Sequence, residues 1–219
     1  FRGAGPVLRS HRGWDRGALA TFRMLAPELA DASFHSTTTR LLVDLNRSLG
    51  HRALFSEYTR DLPAPEREEI LAVHYHAWRD AVIARIDEWR RAGDAVVHVS
   101  VHSFTPELDG VVRDADVGLL YDPGRDWERA ICRRWRGVLR EVAPDARVRL
   151  NYPYRGTADG FATSLRRRFP AGYAGIELEL NEGNVGVRCH RVAEEILAAL
   201  RVLREEAESL LESACGIEA

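Results

Sequence analysis

Apolar and polar positions alternate with period two through 97–102, where Val97, Val99 and Val101 stand against His98, Ser100 and His102. β-branched residues in that rhythm predict a strand over 94–102, with His102 its last residue and Ser103 to Pro106 turning the chain. Ligands of open α/β sheets bind at strand carboxyl ends, so His102 is a candidate metal ligand or base, against the plain alternative of a core histidine. A second alternation sets Ile176, Leu178 and Leu180 against Glu177 and Glu179, which puts both carboxylates on one face of a strand. On an exposed edge strand they would be ordinary surface residues. Otherwise Glu179, nearer the strand end, is the functional candidate.

Helical spacing fills much of the remainder. Leu19, Phe22, Leu25 and Leu29 predict a first helix within 10–31, with Asp15 as its cap and His11 at its mouth. Residues 33–43 read as a strand that delivers Asp44, Asn46 and Arg47 to a loop. Pro63 and Pro65 open a long helix that has acidic residues in its first turn, arginines in its last, and Gly93 beyond. Short strands are predicted at 117–121 and from 146, where the second enters a Pro- and Gly-containing loop carrying Asn151 and Arg155. Further helices are predicted at 126–142, 161–169 and from 187. This alternation predicts one α/β domain over 1–219, a mixed or parallel sheet between helices.

Composition narrows the chemistry. All 31 basic residues are arginine, which excludes lysine Schiff bases and P-loop lysines, while arginine forks suit carboxylate partners. A net charge of −2 offers no field for nucleic acid, and no apolar run is long enough to span a bilayer. The 3 cysteines have neither disulfide-framework nor CxxC spacing, so a reducing cytoplasm is expected. The start at Phe1 has no signal-peptide pattern.

HRGWDRGA, VDLNRS, VHSFTP, NYPYRGTADG and GIELELNEG, in this order, resemble the N-formylglutamate amidohydrolase family, itself similar to zinc carboxypeptidases and aspartoacylases. The resemblance runs from about Ser10 to Gly183. It implies a phosphorylase/hydrolase-like, zinc carboxypeptidase-like architecture and a zinc ion bound by His102. Asp15 or His11 would be a further ligand or a wall of the site, and Glu179 the general base. Arg47, with Asn46 beside it, would hold a substrate carboxylate, and Asn151 and Arg155 are further substrate-binding candidates. One departure stands out: the family's early strand and EHxxNxxP-type metal-binding loop have no counterpart in 1–219, so either the sequence is truncated there or the metal site is incomplete.

The reading is therefore a zinc-dependent amidohydrolase cleaving the amide of a small N-acyl amino acid, N-formyl-L-glutamate foremost. The alternatives are a hydrolase of another acyl amino acid and a metal-free binding protein of the same fold. Neither nucleic acid nor membrane is an expected partner, and the oligomeric state is open.

Overall fold

A computed structural model describes residues 1–184 and 187–215, with side chains except at 184–190 and 207–215. The fold is mixed α/β. Its backbone divides into two compact units, one from Phe1–Trp14, Phe34–Val96 and Asp159–Tyr173, the other from Asp15–Ser33, Val97–Ala158 and the chain from Ala174 onward.

The first unit opens with a single turn, α1 (Gly5–Leu8), and contains the long predicted helix. That helix begins as α3 (Ala64–Ile70), widens into a π-helical stretch at Leu71–His76, and continues as α4 (Ala77–Ala92) up to Gly93, whose φ of 95° closes it. Val82 and Ile86 of α4 pack on Phe161, Leu165 and Phe169, which belong to or follow α6 (Phe161–Arg168). Residues 34–63 form neither helix nor strand, so the strand expected at 33–43 is absent. The reason lies in the hydroxyls nearby. Ser56 Oγ donates to the Leu41 carbonyl and Thr59 Oγ1 to the Leu42 carbonyl at 2.8 Å, which satisfies backbone groups a sheet would otherwise claim. Val43, Leu54 and Tyr75 then bury this loop's apolar side chains.

The second unit holds the sheet apart from Val96 and Tyr173, the first residues of two strands. Its strands are β1 (Val96–Phe104), β4 (Val117–Leu120), β5 (Val148–Leu150) and β6 (Tyr173–Asn181), in the order β1-β6-β4-β5. β4 runs parallel to β5 and antiparallel to β6, so the sheet is mixed, as the alternation of elements predicts. A small hairpin, β2 (Glu107–Leu108) with β3 (Val111–Val112), turns at Asp109-Gly110, where both residues have positive φ.

Three helices cover the apolar face of β6: α2 (Ala18–Leu29), α5 (Asp126–Val142) and α7 (Val187–Cys215). Ile131, Trp135, Val138 and Leu139 of α5 meet Ile176, Leu178 and Leu180, together with Leu25 of α2 and Ile196 of α7. Helical period on one side and period two on the other thus resolve into a single core. The opposite face of β6 carries Glu177 and Glu179. Because β6 lies between β1 and β4, both are buried, and the edge-strand reading of these glutamates is excluded.

Candidate active site

β1 continues two residues past the predicted end, to Phe104, so His102 lies within the strand. Ser100 and His102, two apart, share one strand face. His102 Nδ1 donates to Asp15 Oδ2 at 2.7 Å, and Nε2 lies 3.0 Å from Ser100 Oγ. Asp15 is therefore no helix cap. α2 starts three residues later, at Ala18, behind Gly17 in a left-handed conformation, and no side chain caps it.

The pair is secluded, with His102 16% and Asp15 17% exposed at the side chain. Burial by itself favours the neutral ring. The Asp15 hydrogen bond and the charges of Asp15, Glu179 and Glu177 outweigh it and hold the His102 pKa up to about 9. Glu179 (5% exposed) lies opposite Gly118 of β4, and Glu177 opposite Leu120. An imidazole and a carboxylate are donors of the kind zinc takes. Both ring nitrogens of His102 are, however, engaged by protein groups, and among the described residues no group of three or more His, Cys, Asp or Glu side chains is arranged to hold a metal ion.

Asn151, just beyond β5, adopts a left-handed backbone (φ 49°), and its Oδ1 accepts from the N–H groups of Tyr121 (3.1 Å) and Gly156 (3.0 Å). The side chain thus closes its own loop on β4. Arg155 is exposed on that loop. His11 is exposed as well, at a turn of the first unit.

Also in the first unit, Asn46 and Arg47 are built into a fixed loop. Asn46 Oδ1 accepts the Phe161 N–H at 2.7 Å and so caps α6 from a distant part of the chain. Arg47 Nη1 donates to the Asp159 carbonyl at 2.7 Å, while Nε sits 3.7 Å from Asp44 Oδ2 without a hydrogen bond. The Asp159 carboxylate accepts from the Ser48 backbone (3.1 Å) and hydroxyl (2.6 Å). Burial alone would raise the Asp159 pKa, but those two bonds and the charges of His51 and Arg47 hold it below the usual carboxylate value. The Arg47 side chain is 35% exposed.

Sequence reasoning missed Ser100, Asp159, Tyr75 and Arg79. For Ser100 the signal was present, since period two places it beside His102. The other three act through contacts between residues distant in sequence.

The mixed α/β scaffold thus carries a buried acid–histidine pair, Asp15–His102, and two buried carboxylates, Glu177 and Glu179. A family model for N-formylglutamate amidohydrolase matches residues 2–184, and the chain belongs to that family. Two crystal structures are similar to it. One is a gene product of Agrobacterium tumefaciens, 28% identical, with a TM-score of 0.69 and coverage of 96% of this chain and 84% of that one. The other is an N-formylglutamate amidohydrolase from Ralstonia eutropha, 17% identical, with a TM-score of 0.66 over 88% of this chain and 82% of that one, a likeness of fold. No curated protein matches.

Proposed function

We propose that this chain hydrolyses the amide bond of a small N-acyl amino acid, N-formyl-L-glutamate foremost, to formate and glutamate, and that the reaction depends on zinc. The observation that carries the reading is the Asp15–His102 pair at 2.7 Å in a chain of this family, on the same sheet as the buried Glu179. In the reaction a water oxygen bonds to the formyl carbon, the C–N bond breaks, and the amine leaves with one proton more. Glu179 is the group assigned to that proton, accepting it from the attacking water and passing it to the amine nitrogen. Its burial keeps bulk water from competing for it. Arg47 is assigned to a substrate carboxylate, for which its part-exposed side chain offers a guanidinium charge.

His102 and Asp15 are the zinc ligands of this reading. They are donors of the kind zinc takes, and a ring nitrogen of His102 would have to be released by Asp15 or Ser100 to hold the ion. Bound zinc supplies Lewis-acid polarisation and lowers the pKa of water. The cysteine spacing, which fits no disulfide framework, supports a cytosolic location.

The test is formate release from a panel of N-formyl and N-acetyl amino acids, with bound metal quantified in parallel. Turnover of N-formyl-glutamate that rises with bound zinc supports the proposal. Turnover of another acyl amino acid alone would replace the substrate. No turnover of any, at full metal occupancy, overturns it in favour of a binding protein.

A further inference from the structure

Arg79 is 7% exposed, and among the described residues no carboxylate lies within ion-pair distance of it. Burying a guanidinium is costly, and burial lowers its pKa even though the charges of Asp159, Asp80 and Asp44 raise it. What surrounds it is specific. Its guanidinium carbon stands 4.1 Å from the Phe161 ring centroid and 4.8 Å from that of Tyr75, so two aromatic faces meet the charge. Nη1 donates to the Leu45 carbonyl at 2.9 Å and reaches the Arg47 carbonyl at 3.4 Å. Tyr75, 3% exposed, donates its hydroxyl to the same Arg47 carbonyl at 2.7 Å.

These two residues therefore bracket Asn46-Arg47 from the backbone side. The loop has no sheet partner to hold it, and the Arg47 side chain is held by the Nη1 bond to the Asp159 carbonyl and the 3.7 Å ion pair with Asp44. Tyr75 lies in the π-helical turn Leu71–His76, and Arg79 follows four residues later at the start of α4. A π turn changes the direction in which the following helix face points, and such turns are frequent at functional sites. Here the widened turn sets two buried polar side chains against one loop carbonyl.

We propose that Tyr75 and Arg79 are positioning residues for substrate-carboxylate recognition, clamping the Arg47 carbonyl so that the Arg47 guanidinium is presented in a single orientation. The proposal rests on the assignment of Arg47 to a substrate carboxylate. A guanidinium free to swing loses the entropy of ordering when it binds, whereas one already held does not. The clamp should accordingly act on affinity for the carboxylate and not on the chemical step.

The experiment compares Tyr75→Phe, Arg79→Gln and Arg47→Lys in the zinc-loaded chain. Each is measured with N-formyl-glutamate and with two analogues in which one or the other carboxylate is an amide. The expected result for Tyr75→Phe and Arg79→Gln is a KM increase of roughly 5- to 30-fold for N-formyl-glutamate, the size of one lost hydrogen bond, with kcat within about threefold. For one of the two amide analogues KM should hardly move, because the carboxylate that Arg47 reads is already gone. Tyr75→Phe added to Arg47→Lys should raise KM no further. A merely structural role would depress turnover of all three substrates alike and lower Tm in proportion. That outcome overturns the clamp, as does an unchanged KM in Tyr75→Phe, the variant that keeps ring and packing should Arg79→Gln not fold. If Arg47→Lys itself leaves the preference for the carboxylate intact, the assignment of Arg47 is what has failed.

Discussion

Gly118 on β4 lies opposite Glu179 on β6, and a Cβ built on it would collide with the Tyr152 carbonyl oxygen and stand 3.2 Å from Glu179 Cβ. The glycine is there for close approach, since its φ is not in the left-handed region. Gly118→Ala should push Tyr152 and Glu179 out of place. Loss of roughly tenfold or more in kcat, with a stability cost of about 1–3 kcal/mol by denaturant titration, is the expected result. Unchanged kcat would mean that Glu179 does not act from its place beside Gly118.

Glu177 and Glu179 serve as controls for one another. They share a face of β6, and two residues along a strand separate them by about 6.6 Å, too far for both to hold one water. Glu179→Gln should reduce turnover by about 10²- to 10⁴-fold at unchanged zinc content, and Glu177→Gln far less. Kinetics at matched metal content decide this. The reverse order would transfer the base to Glu177.

His102 should remain protonated through neutral pH in the metal-free chain. Its folded pKa, about 9, lies above the unfolded value of 6.5. The stabilisation is therefore complete below pH 6.5 and is lost as pH rises through about 9, amounting to on the order of 3 kcal/mol. Asp15→Asn removes the principal support while burial stays, so the ring should titrate well below 9. Histidine NMR titration of both forms reads this directly, and equal pKa values would deny the pair its electrostatic coupling.

Glu128 anchors the start of α5. It is 0% exposed, accepts from the N–H groups of Asp122 (2.8 Å) and Gly175 (3.0 Å), and lies 3.3 Å from Arg125 Nε. Glu128→Ala should cost about 3–5 kcal/mol, because it strands two backbone donors and a cation. Glu128→Gln retains one carbonyl acceptor and should cost less. Chemical denaturation measures both, and a loss below about 1 kcal/mol would show that water takes over the bonds.

The sheet was legible because its signal is local. Ile176, Leu178 and Leu180 announce β6, and the Ile131–Trp135–Leu139 row announces α5. The loop before α3 was misread for a physical reason. RLLVDL has strand-like composition, yet the hydroxyls that capture its carbonyls come from Ser56 and Thr59, about 15 residues later. The cap reading of Asp15 fails in the same way, since a polar residue near a helix start reads as a cap unless the partner 87 residues distant is known. Asn46, a substrate candidate by resemblance, also caps with its oxygen a helix 115 residues further on, a contact that local sequence does not announce.

That last bond bears on how the protein is made. The loop holding Asn46, Arg47 and Ser48 finds its partners at Asp159 and Phe161, between 111 and 115 residues downstream. During synthesis the first unit cannot close when residues 34–96 leave the ribosome, because its third segment, Asp159–Tyr173, has not yet been translated. At about 5–20 residues per second, Val82, Ile86 and the buried charge of Arg79 wait several seconds for α6. High sequence separation of this kind slows folding and exposes apolar surface to aggregation. The price of an arginine fixed by distant residues is a unit that can close only late in synthesis.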